Sequence, residues 1–227
     1  MTVLSSFAER SGRADARRNT ERILDACAEL LAGDPGVSLE QVAAHAGVSR
    51  ATVYHHFAGR DDLLDALTDR SVREVAAAVR SARPADGPAA EAMERVLRAA
   101  WQVIGRYRGL VIVNPGRLER AELRTRLEPA LAPIRALIRR GRRSGEFDRE
   151  LPVEWMIGVI TDLIHAASRQ VSAGAMRPHA AERALLRTAR GALSAHRASQ
   201  PPGNTTFGGG ATARSEHART SPISGPW

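Results

Sequence analysis

Within seven residues, Arg50 to His56, the sequence RATVYHH gathers groups suited to polar recognition. Arg50 carries a planar guanidinium able to donate two parallel hydrogen bonds to a guanine edge. Thr52 offers a hydroxyl and a methyl, and Ala51 a small apolar contact for thymine. Tyr54, His55 and His56 follow, and Arg60 lies four residues beyond. Such side chains read base edges and hold phosphates when a helix presents them to a major groove. They make poor catalytic chemistry. His55 and His56 are neighbours on a helix, so their rings point to different sides and chelate badly. The chain has no glycine-rich phosphate loop, no nucleophile elbow and no HExxH spacing. The expectation is a binding protein, not an enzyme, with no metal and no cofactor.

A presenting face needs a rigid support. Leu39, Val42, Ala43 and Ala46 fall at i, i+3, i+4 and i+7, one apolar stripe along about two helical turns. Ser38 followed by Gln41 has the capping-box form that starts a helix. Gly47 ends it by accepting a left-handed backbone. Val48 turns back to the core, and Ser49 can cap a second helix. Val53 and Phe57, four apart, face inward in that helix. Arg50, Ala51, Thr52 and His55 are left outward, with Tyr54 and His56 on the flanks. Two short helices joined by a glycine turn form a helix-turn-helix unit, whose second helix can enter the major groove.

The run Ala46-Gly47-Val48-Ser49, then Thr52, Tyr54-His55-His56-Phe57, and Arg60 with Leu63-Leu64, closely resembles the signature of the TetR family of transcriptional regulators. The likeness covers roughly residues 19–65. Arg60 stands where many relatives carry lysine, which keeps the charge. The resemblance implies an all-α fold: an N-terminal three-helix DNA-binding domain, then a larger all-helical domain for ligand binding and dimerisation. It implies a homodimeric repressor, released from a palindromic operator of double-stranded DNA by a small-molecule effector. It places Tyr54, His56 and Arg60 on phosphates. With Ser38, Ser49, Arg50, Ala51, Thr52 and His55 they form the expected DNA-binding set. The alternatives are a DNA binder that responds to no ligand, or a regulator controlled by a protein partner.

The bulk properties agree with such a reading. The chain has 227 residues, 43% of them hydrophobic, enough for one or two domains with a real core. Net charge is +8, which suits a polyanion partner. All 33 basic residues are arginine. Residues 1–60 hold seven arginines and seven acids, so the reading head is formally neutral, while residues 117–143 hold nine arginines against three glutamates. Cys27 is the only cysteine, so no disulfide framework forms within the chain, as in a reducing cytoplasm. Its expected place is buried on the first helix. The N-terminus shows acids and arginines rather than a signal peptide's apolar run, and no 18-residue apolar stretch suggests a membrane span.

The segments fall in order. Residues 1–18 are expected as a flexible arm bearing Arg10, Arg13, Arg17 and Arg18; residues 19–65 as the helix-turn-helix domain; residues 66–197 as the helical body; residues 198–227, rich in Gly, Pro, Ser and Thr, as a disordered tail. Asp61 and Asp62 suit the first turn of a fourth helix. A short buried helix over residues 110–113 should end at Asn114-Pro115-Gly116, and a long helix should run over 117–143 with a start, kink or break at Pro129 or Pro133. The helices after Pro152 and from His179 are apolar enough to build a four-helix interface between two subunits. Ile160 and Leu185 are expected to touch the partner there.

By the resemblance, the effector pocket lies within helices four to eight. Met93, Trp101, Tyr107 and Trp155 are its large or adaptable apolar candidates, each also compatible with plain core packing. Asp162, His165 and Arg169 share one face of the eighth helix. Asp162 and His165 could orient a ligand or belong to a polar seam at the subunit contact.

Overall fold

The computed structural model describes residues 2–195, with side chains from Asp15 onward except that of Arg120. Residues 196–227, including the tail expected from 198, lie outside the described residues. The chain is all-α: α1 (Thr2–Leu31), α2 (Leu39–Ala46), α3 (Arg50–His56), α4 (Arg60–Ser81), α5 (Ala89–Arg106), α6 (Arg108–Arg117), α7 (Arg120–Ser144), α8 (Val153–Ser172) and α9 (Pro178–Leu193). An isolated bridge between Phe147 and Ser194 is the only β pairing among the described residues. None of the helices is long and apolar enough to cross a membrane.

The head is built as its apolar spacing dictates. Ile23, Cys27 and Leu31 of α1, Val42 of α2, Val53 of α3, Phe57, and Leu63, Leu64 and Leu67 of α4 form one buried cluster. Burying each of the larger aliphatic side chains contributes about 1.5–3 kcal/mol, so this set fixes where α3 lies. Burial pushes the Cys27 thiol up to about 12, as befits a small apolar core residue. The body packs α5, α7, α8 and α9 around Met93, Val96, Ile134, Leu137, Met156 and Ile160.

Four expectations change. The segment expected as a flexible arm over residues 1–18 is, from Thr2, the first half of α1. Ala and Arg recur along it with one glycine and no proline, so nothing interrupts helix propagation. Next, α6 runs past Asn114-Pro115-Gly116 to Arg117. Its last turn is held from outside: the Asn114 amide donates to Thr68 Oγ1 (3.1 Å), and Arg117 donates to Asn114 Oδ1 (3.1 Å) and pairs with Asp65 (2.8 Å). Third, α7 stays continuous through Pro129 and Pro133. Each proline withdraws one backbone donor, but contacts with α4, α5 and α8 carry the helix past both. Fourth, Ile160 and Leu185 are 2% exposed, inside this chain's own core rather than facing a partner.

One contact joins head and body. Tyr107, just before α6, and Leu110 within it close the head's own apolar cluster. A Cβ on Gly109 would fall 2.6 Å from the Leu31 Cβ and closer still to the Leu31 carbonyl oxygen, well inside van der Waals contact, so α6 lies flush against the end of α1. Only glycine permits that approach. Gly109→Ala should therefore lower the unfolding free energy by about 1–3 kcal/mol, the scale of a forced shift in a packed core. A denaturant midpoint equal to that of the unaltered protein would count against this contact.

Candidate nucleic-acid interface and interior cavity

The unit carrying the candidate interface is capped at both helix starts. Ser38 Oγ accepts from the Gln41 backbone N–H (3.2 Å), and Gln41 Oε1 accepts from the Ser38 N–H (2.7 Å), the reciprocal capping box read from the sequence. Gly47 takes the left-handed conformation, φ 64°, and the Val48 N–H reaches back to the Ala43 carbonyl at 3.1 Å. Ser49 Oγ then accepts from the Thr52 N–H at 3.0 Å and starts α3.

With Val53 and Phe57 anchored below, Arg50, Ala51, Tyr54 and His55 are exposed and Thr52 and His56 half-buried. The expected residues from Arg50 to His56 thus share one short helix, with Ser38 and Ser49 at the two helix starts and Arg60 at the start of α4. Arg50 is not adrift. Its guanidinium pairs with Glu40 at 2.9 Å and sits over the Tyr54 ring at 5.3 Å from the centroid. The Glu40 carboxyl lies below the usual range because of its own backbone N–H and then the Arg50 charge. His56 Nδ1 lies 3.3 Å from Thr20 Oγ1, which links α3 to α1.

Two arginines brace the unit from behind. Arg22 of α1 donates to the Ala46 carbonyl (2.6 Å) and the Gly47 carbonyl (3.3 Å). Arg60 of α4 donates through Nε to the Val37 carbonyl (3.0 Å) and through Nη2 to the Pro35 carbonyl (2.5 Å). Arg60, expected on a phosphate, spends two of its three nitrogens on the loop before α2. Sequence reasoning missed Arg22, since nothing periodic marks a side chain that reaches 25 residues ahead.

Behind the head, Arg70 of α4 is 12% exposed and pairs with Glu21 (3.2 Å) and Asp25 of α1 and with Glu74 (3.2 Å). Glu74 also accepts from the Tyr107 hydroxyl (2.7 Å) and pairs with Arg106 (3.2 Å). The Tyr107 hydroxyl is pushed up to about 12 by burial and by that carboxylate. A second junction centres on Asp65, which takes Arg117 of α6 (2.8 Å) and Arg126 of α7 (2.9 Å). Partial burial opposes the charge, yet the two guanidiniums hold its carboxyl below the usual range.

Between α4 and α8 lies an apolar cavity of about 130 Å³. Tyr107 and His165, two of the candidates named from the sequence, are among the residues that line it. A wider groove of about 1050 Å³ opens between α7 and α8, lined by Trp155, Asp162 and His165 among others. Met93 and Trp101 line neither. Met93 is buried against Leu186 and Leu193 of α9, and Trp101 packs with Ala181 and Leu185. Their side of α5 faces α9, whereas Leu97, Ala100 and Ile104 face the cavity. Trp155 is 62% exposed, at the groove rim rather than inside. Burial pushes the His165 imidazole down, with Asp162 opposing and Arg169 assisting.

These features define a helix-turn-helix regulatory protein. A sequence profile described as bacterial regulatory proteins, tetR family, matches residues 23–67. The HTH-type transcriptional repressor LfrR of Mycolicibacterium smegmatis is 43% identical over 86 residues, 37% of this chain and 45% of the relative. The HTH-type transcriptional regulator TtgW of Pseudomonas putida, itself uncharacterised, is 40% identical over 60 residues, 26% of this chain and 45% of that protein. The matched part spans less than half the length of these curated relatives. The crystal structure of LfrR from Mycobacterium smegmatis in complex with proflavine superposes with a TM-score of 0.63 at 28% identity, covering 78% of this chain and 97% of that one. Over residues 23–67 the chain is thus similar to the tetR family of bacterial regulatory proteins, and over most of its length it shares the fold of LfrR.

Two outcomes follow from the braces. Arg60→Ala should lower the head's unfolding free energy by about 1.5–3 kcal/mol, the scale of hydrogen bonds from a charged donor; an unshifted denaturation curve would reduce this residue to a surface charge. Asp65 has a depressed folded-state value, so its contribution is present above the unfolded value near pH 4 and is lost as pH falls through the folded one. Asp65→Asn should flatten the acid side of the stability profile, and an identical profile would disprove the assignment.

Proposed function

We propose that this protein is a sequence-specific DNA-binding repressor that works as a homodimer in the cytoplasm and leaves an inverted-repeat operator when a small molecule enters the body. The observation that carries this reading is α3. It is a capped, two-turn helix whose inner face is fixed by Val53 and Phe57 and whose outer face offers Arg50, Ala51, Thr52 and His55. Arg50 and Thr52, near its start, read base edges; Tyr54, His56 and the free Nη1 of Arg60 meet phosphates. Similarity to the repressor LfrR over 86 residues supports repression.

The body supplies the other half. The apolar cavity beside α4 supports a small-molecule effector, as does the LfrR structure that holds proflavine. An effector shifts the equilibrium only if it prefers the DNA-free arrangement of the two heads. Ile160 and Leu185 being internal, the face left for a second copy is formed by the half-buried Val159 and Ala166 of α8 with the exposed Ala184 and Thr188 of α9. The two heads are then related by a two-fold axis.

Selection of bound DNA from a random pool should return inverted repeats with half-sites about one helical turn apart, a spacing the body can stretch. Arg50→Ala should weaken the selected operator about ten- to a hundred-fold and relax the preference at one base pair. Recovery of single asymmetric sites would rule out the dimeric reader, and uniform weakening by Arg50→Ala across all sequences would reverse the docking of α3.

A further inference from the structure

The cavity wall carries no formal charge: not one Asp, Glu or Arg is among its lining residues. Three carboxylates on α4 are engaged elsewhere, Glu74 with Arg70, Arg106 and Tyr107, Asp65 with Arg117 and Arg126, and Asp69 with Arg126. The polar groups in the wall are neutral and mostly satisfied. Thr68 donates to the Leu64 carbonyl (2.7 Å) and accepts from Asn114 (3.1 Å). Ser71 donates to the Thr68 carbonyl (2.8 Å), and Thr161 to the Ile157 carbonyl (2.9 Å). His165 differs. It borders both cavity and groove, and no hydrogen bond joins its ring to any described residue.

Size narrows the choice further. At about 130 Å³ the cavity approaches engineered apolar cavities of about 150 Å³ that hold a benzene molecule. An ion placed there gives up its hydration and meets no countercharge. Countercharges wait only outside, where Arg124, Glu128, Arg135, Glu154, Asp162 and Arg169 line the groove.

We infer that the cavity takes a compact, uncharged, largely apolar molecule about the size of one aromatic ring, with a single hydrogen-bonding group set against the His165 ring. The inference builds on the reading of this cavity as the effector site and names the class of effector. Thr161 and His165 line both spaces, so the groove between α7 and α8 is the route in.

The test is direct binding to the full chain, without DNA, by calorimetry and thermal shift. The probes are four molecules of nearly one shape: benzyl alcohol, toluene, benzylamine and benzoate. Benzyl alcohol should bind saturably and raise the melting temperature by mass action. Benzylamine and benzoate should bind at least ten-fold more weakly, and toluene several-fold more weakly. His165→Phe should bring benzyl alcohol down to the level of toluene. Ala130→Ile, which fills the cavity from α7, should abolish binding of both; if that variant does not fold, His165→Phe decides. Equal affinity for a charged probe, no binding of either neutral probe, or benzyl alcohol affinity unchanged in His165→Phe overturns the inference. Because binding is read without an operator, benzyl alcohol that binds yet leaves the DNA complex intact refutes the regulator reading and spares this one.

Discussion

The molecule depends on the way α1 is held between α4 and α6. On one side the Arg70 guanidinium, 12% exposed, collects Glu21 and Asp25 from α1 and Glu74 from α4. On the other, Gly109 lets α6 lie flush on the Leu31 carbonyl while Tyr107 and Leu110 complete the head's core. A cluster of one largely covered guanidinium and three partly exposed carboxylates is not a large source of stability on its own. Its weight lies in geometry. It fixes the angle at which α1, and with it the braced helix-turn-helix unit, leaves the body. The boundary at residues 65 and 66 drawn from the sequence falls inside α4, and the contacts cross it.

Tyr107 stands at both ends of this joint. Its ring lines the cavity and its hydroxyl bonds the same Glu74 that holds Arg70. Asn114 and Thr68, two of the three buried polar residues among those described, do the same for the Asp65 junction. Cavity wall and head support are thus parts of two short polar chains rather than separate layers. Spatial adjacency of this kind becomes coupling only if both ends prefer different arrangements.

Local chemistry was the legible part of the chain. The capping box at Ser38, the left-handed Gly47, the Ser49 cap and the inward pair Val53 and Phe57 depend on residues within four positions of one another, and each stands where the sequence puts it. What escaped depends on distant partners. Arg22 and Arg60 find carbonyls more than twenty residues away, and Gly109 matters only because α1 passes over it. The prolines in α6 and α7 misled for the same reason, since tertiary contacts outweigh a lost backbone donor. In the body, the sequence marked Met93, Trp101, Ile160 and Leu185 for apolar contact but not with which neighbour. An apolar stripe looks alike whether it meets a cavity, a sister helix or a second subunit.

The braces have one more property, which comes from their being arginines. Arg22 and Arg60 each reach two backbone carbonyls at once, and Arg140 does so for the loop between α4 and α5. A lysine ammonium is a point donor and cannot span such a pair with fixed geometry. The chain contains no lysine at all. Lysine acylation, which silences that side chain's charge, therefore has no target among these braces. The supports of the reading helix are closed to that covalent switch.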